Sequence, residues 1–109
     1  MPAAYKVLGQ SNPSATTATT LYTVPSSTSA VVSTLSVCNI GTSATTFRVA
    51  VRPAGETLAN KHYLAYDASV AGNDSVLLTL GISLATTDVV TVYAGTANLA
   101  FSLYGSEIT

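Results

Sequence analysis

Charge is what this chain has least of. Four basic and five acidic residues in 109 make 8% charged, against about 25% in an ordinary soluble domain. The basic residues are spread along the chain, so no patch can neutralise a run of phosphates, and nucleic acid is not an expected partner. Few surface ions and a net charge of −1 protect poorly against association, so much of the surface is expected to be covered by neighbours. A single cysteine, Cys38, excludes an internal disulfide and is expected to be a small apolar strand residue. Tryptophan is absent and no cysteine pair brackets the middle, so the hallmarks of antibody domains are missing. No window approaches the roughly 18–20 apolar residues of a membrane span, and "MPAAYKVLGQ" lacks the basic and apolar regions of a signal peptide. The expectation is a chain made and kept in a cytoplasm or released by lysis, with no membrane partner.

A mean hydropathy of +0.43 and 48% hydrophobic residues oppose disorder. The length suits one domain, 1–109. Almost every segment reads with period two, and apolar recurrence at helical spacing is missing. Strand-like runs are Ala4–Leu8, "TLYTVP" ended by Pro25, Ala30–Asn39, Thr45–Arg52, "HYLAYDASV", "DSVLLTL", "DVVTVYA" and "NLAFSLYGSEI". Turn signals separate them every 8–12 residues or so, as in β-sandwiches and barrels. The expected fold is all-β, a single antiparallel β-sandwich of seven or eight strands, with jelly-roll and immunoglobulin-like orders both open. Residues 9–20, "GQSNPSATTATT", read as an extended arm or loop.

"VSTLSVCNIGTSATTFRVAVRPAG" reads as a β-hairpin turning at "NIGTSA", with Gly41 available for a left-handed position. Alternation puts Val31, Leu35 and Val37 on one face of its first strand, and Val32, Thr34, Ser36 and Cys38 on the outward face. On the returning strand Phe47, Val49 and Val51 face in, while Arg48, Ala50 and Arg52 face out. The expected core is Leu35, Val37, Phe47, Val49, Val51, Leu78, Leu80, Leu99, Phe101 and Leu103.

Catalytic chemistry finds little support in the residue pattern. His62 and Asp67 with one of many serines would make a hydrolase triad, but five residues apart on a regular strand they face opposite sides, and no Gly-x-Ser-x-Gly elbow is present. His62 is expected on the surface beside a loop. One His and one Cys far apart do not make a zinc site, and "AGNDS" lacks the carboxylates of a calcium loop. No glycine loop suited to phosphate occurs, so neither cofactor nor metal is expected. Asp74 and Asp88 are expected to hydrogen-bond turn backbone. Arg48 and Arg52, four strand residues and roughly 13 Å apart, are the candidate partner contacts, through guanidinium forks that suit carboxylates. Six tyrosines among eight aromatics suit half-buried interfaces or bound sugar.

The series "LYTVP", "VCN", "RVAVRP", "LAYD" and "GSEI", from Tyr5 to Thr109, resembles the small virion structural proteins of tailed bacteriophages, including those of cyanobacteria. The resemblance implies a non-enzymatic β-sandwich present in many copies on a capsid or tail, with no catalytic residues. One compact domain without a heptad shaft favours the head. The expectation is then a capsid decoration, or cement, protein that bridges major capsid protein subunits on the virion surface, self-associated as a homotrimer. Its alternative is a tail, baseplate or fibre module, with host glycan as a ligand.

Overall fold

The computed structural model describes residues 3–109. They form β1 (Ala3–Ser11), β2 (Thr19–Thr23), β3 (Ser29–Asn39), β4 (Thr45–Arg52), β5 (Tyr63–Val70), β6 (Asp74–Leu84), β7 (Val89–Ala94) and β8 (Leu99–Ile108). Two short 3-10 turns, Pro53–Gly55 and Asn60–His62, lie between β4 and β5. The chain is all-β, and its strands make two four-stranded antiparallel sheets, ordered β1-β8-β3-β6 and β2-β7-β4-β5.

The inner faces of the sheets meet in one apolar core. Alternating valines, leucines and phenylalanines supply it because successive strand residues point to opposite faces. Phe47 of β4 and Phe101 of β8, both 1% exposed, touch edge to face with ring centroids 6.4 Å apart. Leu35, Val37, Phe47, Val49, Leu99, Phe101 and Leu103 are buried as expected, whereas Val51, Leu78 and Leu80 are half-buried at the margin. Val24, Val70, Val90 and Val92 are also buried in this interior.

The expected hairpin does not form. β3 pairs with β6 and β8, while β4 pairs with β5 and β7, so 40–44 carries the chain from one sheet to the other. Turn chemistry reverses a chain, but it does not specify that the flanking strands pair. Gly41 is not left-handed; glycine is needed because a Cβ there would press on the Asn98 side chain. Of the consecutive strands only β4 and β5 share a sheet, and every other connection crosses the core.

The faces of β3 also differ from strict alternation. Against β8, Val32 pairs with Gly105 and Thr34 with Tyr104, so Ser33 is an extra residue and the strand pivots there, whereas against β6 the extra residue lies on β6, where Leu80 and Gly81 oppose Ser33. Val32 is fully buried and Val31 is 40% exposed, the reverse of the expectation. The bulge lets Val32 and Leu35 point inward although they are three apart.

The segment 9–20 divides among three structures. Gly9–Ser11 end β1, and Thr19 and Thr20 begin β2. Between them Asn12 Nδ2 donates to the carbonyls of Ala97 and Leu99, at 3.1 and 2.6 Å, and Thr16 N–H donates to the Ala94 carbonyl at 2.8 Å. The connection is thus fastened to the β7–β8 end of its own chain.

Candidate functional site

Arg48 and Arg52 both stand on the outer face of the β2-β7-β4-β5 sheet, as their spacing requires. Arg48 lies between two tyrosine rings, with its guanidinium carbon 4.1 Å from the Tyr66 centroid and 4.2 Å from that of Tyr93. Its Nε donates to Asp67 Oδ1 at 2.7 Å. Tyr93 arrives as the direct cross-strand partner of Arg48. Asp67 arrives through a bulge: Phe47 pairs with Ala68 and Val49 with Ala65, leaving one extra residue on β5. Asp67 adopts φ 53 there, a left-handed conformation that Asp tolerates better than most residues.

This geometry separates two contributions of Asp67. Asp67→Ala should destabilise by about 1–2 kcal/mol, most of it the left-handed backbone cost and the rest a half-exposed ion pair. Asp67→Gly loses the same pair but relieves the backbone, and should fall within about 0.5 kcal/mol of the parent. Urea unfolding of the two variants distinguishes these contributions; equal losses would mean that the ion pair, and not the backbone, carries the effect.

Arg52 is also occupied within the chain. Its Nε donates to Thr91 Oγ1 at 3.0 Å, and its Nη1 donates to the Glu56 carbonyl at 3.0 Å. Ala50 and Thr91, opposed between β4 and β7, lie buried on this outer face. Both candidate contact residues therefore have intramolecular partners, and what the face presents outward is chiefly aromatic. Tyr66 is 56% exposed and meets Tyr63 edge to face at 4.8 Å; with Asn60 the two line an open cleft of about 430 Å³.

His62 is buried, not exposed. Its Nδ1 accepts the Ala59 N–H at 3.0 Å, which leaves Nε2 to meet Glu56 Oε1 at 3.2 Å. That contact, with Lys61 nearby, holds the Glu56 carboxyl below its ordinary range. His62 and Asp67 serve different partners and do not converge. Among the described residues no group of three His, Cys, Asp or Glu side chains is placed to hold a metal ion. Among the described residues no helix is long and apolar enough to cross a membrane. Asp88 accepts from the N–H groups of Ala54 and Ala85, and Asp74 from that of Ser75, the turn roles expected of them.

The other polar cluster joins the sheets. Lys6 Nζ lies 2.7 Å from Glu107 Oε1, and the Tyr22 hydroxyl donates to Glu107 Oε2 at 2.6 Å. The Lys6 hydrogen bond and that from Tyr22 lower the Glu107 pKa, and burial followed by Glu107 raises that of Tyr22 well above the ordinary phenol range. The sign of each shift sets a pH window. Depressed Glu56 and Glu107 stabilise fully above the usual carboxyl value of 4.5, and that stability is lost as pH falls through their folded pKa values. Raised Tyr22 stabilises fully below 10.0, and its contribution is lost as pH rises through its folded value. Thermal midpoints should therefore form a plateau that declines at both ends. Glu107→Gln should flatten the acid limb and Tyr22→Phe the alkaline one; limbs unchanged in these variants would place the titrating groups elsewhere.

A second open cleft, about 560 Å³, lies on the outer face of the β1-β8-β3-β6 sheet between Tyr5, Val7, Val31 and Tyr104. Tyr5 is 86% exposed. Sequence alternation marks Tyr5 and Val7 as sharing a face, but the exposure of Val31 beside them depends on the Ser33 bulge. Comparison with family models, curated proteins and solved structures finds no match for this chain.

Proposed function

We propose that the protein is a non-enzymatic virion component, a capsid decoration protein that bridges major capsid protein subunits and stiffens the head. The observation that carries this reading is the division of its surface. The few charged groups largely contact one another and the backbone, while Tyr5, Val7, Val31, Ile40, Leu64, Tyr66, Leu77 and Tyr104 stand exposed. A surface of that kind suits close, repeated contact with protein neighbours. The strand order supports assigning the two sheets to a jelly roll, an eight-stranded arrangement found in capsid and lectin domains. An immunoglobulin order would seat the first two strands side by side, whereas here β1 lies beside β8. Gold-labelled antibody on intact particles tests the reading: label over the head agrees with it, and label confined to the tail overturns it.

The Tyr63–Tyr66–Asn60 cleft favours one alternative, a tail or fibre module that holds a sugar ring on its aromatic faces with an amide to bond its hydroxyls. Glycan binding lost in Tyr66→Ala would select it.

A further inference from the structure

Four strands form the margins of the two sheets, and three are built against pairing. β1 carries Lys6 and a bulge at Leu8. β2 is five residues long, bulges at Leu21 and is followed closely by Pro25. β5 bulges twice, at Leu64 and near the charged Asp67. Short length, charge, proline and bulges are the devices that keep open edges from adding strands.

From Ser75 to Thr79 β6 has none of these, and its one charge, Asp74, stands at the end of the strand. From Asp74 to Thr79 it pairs with β3 residue for residue, and the next irregularity comes only at Leu80–Gly81. Ser75–Leu84 contains no charge and no proline. Among the described residues no strand pairs with its other side. Val76, Leu78, Leu80 and Ile82 point toward the core but remain half-exposed, while Leu77, on the opposite face, is 65% exposed. The Ser75 N–H bonds its neighbour's carboxylate, Asp74 Oδ1, at 2.8 Å, and so is turned away from β3. Alternate residues of an antiparallel strand turn their peptide groups the same way, which leaves Leu77 and Thr79 offering N–H and C=O outward.

We infer that β6 is a self-pairing edge: two copies of the chain join antiparallel through β6 about a two-fold axis at Leu77, making one continuous eight-stranded sheet. Leu77 then exchanges two backbone hydrogen bonds with its counterpart. Each Thr79 N–H donates to the Ser75 carbonyl of the second copy, so Asp74 keeps its bond to Ser75 in both. Val76 of one copy falls opposite Leu78 of the other, covering two half-exposed apolar residues on each side. Charge favours a second copy as the occupant, because the only ionised group of the run lies at its end. The two-fold axis sets the Asp74 carboxylates about 20 Å apart, beyond the roughly 8 Å over which salt screens exposed charges. This association closes at two copies, not at the three expected from capsid three-fold points, and it does not depend on the virion reading.

The test uses the full chain. In a Cys38→Ser background, which removes the native thiol opposite Ser75, Leu77→Cys should cross-link to itself on mild oxidation. A hydrogen-bonded antiparallel pair holds its Cα atoms about 5.5 Å apart, within disulfide range. Sedimentation equilibrium should show a dimer for the parent chain. Leu77→Pro, which loses only an outward N–H, should weaken it about tenfold or more. Leu77→Lys, which sets two like charges face to face, should dissociate it while leaving the thermal midpoint of the monomer in place. The lysine variant decides the matter if the proline variant does not fold. A parent chain that stays monomeric, a trimer, or a dimer that survives Leu77→Lys and fails to cross-link at position 77 overturns the inference.

Discussion

Phe101→Ala should cost about 3–5 kcal/mol of unfolding free energy, the range for removing a fully buried aromatic ring. A small domain holds a total of roughly 5–15 kcal/mol, so the variant should be partly unfolded at 37 °C. The size follows from position. Phe101 sits on β8, which is interior in its sheet and paired with both β1 and β3, and its ring meets Phe47 from the opposing sheet. Deleting it opens a void where the two layers touch, and the strands on either side are held in register by their ladders and cannot close in. Phe101→Leu keeps most of the volume and should lose about 1–2 kcal/mol. Combining Phe101→Leu with Phe47→Leu should show a coupling of about 0.5–1.5 kcal/mol, the share belonging to the ring pair itself. Guanidinium melts of the parent and the four variants measure all of this. A Phe101→Ala loss under about 1.5 kcal/mol would mean the layers relax into the void, contrary to close packing between them.

The strands were legible because the signal that marks them is local. Alternation and breakers such as Pro25 and Gly72 act within a few residues, and each expected strand has an observed counterpart, although β6 continues through Gly81 to Leu84, past the expected "DSVLLTL", and β1 reaches Ser11, past Leu8. Pairing is not local. Whether β4 lies against β3 or crosses to the other sheet depends on β7 and β8, some fifty residues further on, and nothing within "NIGTSA" carries that information. Bulges are the other gap. One extra residue at Ser33 exchanges the faces of Val31 and Val32, and one near Asp67 turns its carboxylate onto Arg48. The outward placing of Arg48 and Arg52 was readable, as each is an even step from the other. Their tyrosine, carboxylate and backbone partners were not, because those come from β5, β7 and the 3-10 turns through contacts that only the folded sheet creates.

Asn39 offers the second large effect, and one whose pH dependence runs against that of the parent protein. It is 1% exposed at the point where β3 ends and the chain crosses to β4. Its Nδ2 donates to the carbonyls of Ser43 and Val70, at 2.9 and 3.3 Å, and its Oδ1 accepts the Gly41 N–H at 2.9 Å. One amide thus ties the crossing to itself and to the end of β5. Asn39→Ala removes all three bonds and leaves buried backbone groups without partners, at about 1–3 kcal/mol each where water cannot reach them; a total of roughly 2–4 kcal/mol is expected. Asn39→Asp keeps the shape but aims a carboxylate at two carbonyl oxygens. Burial and those oxygens disfavour the charged form, so the pKa of the new group is raised on folding. The variant's stability relative to the parent should therefore be best below the unfolded value of about 3.9 and fall as pH rises through the folded value. Glu56 and Glu107 are protonated in both proteins in that acid region and cancel in the comparison, so the gap between the two melting curves should narrow as pH is lowered because the new carboxyl at position 39 becomes neutral. A gap that stayed constant with pH would show that water reaches the Asn39 site and that the crossing is held by its backbone alone.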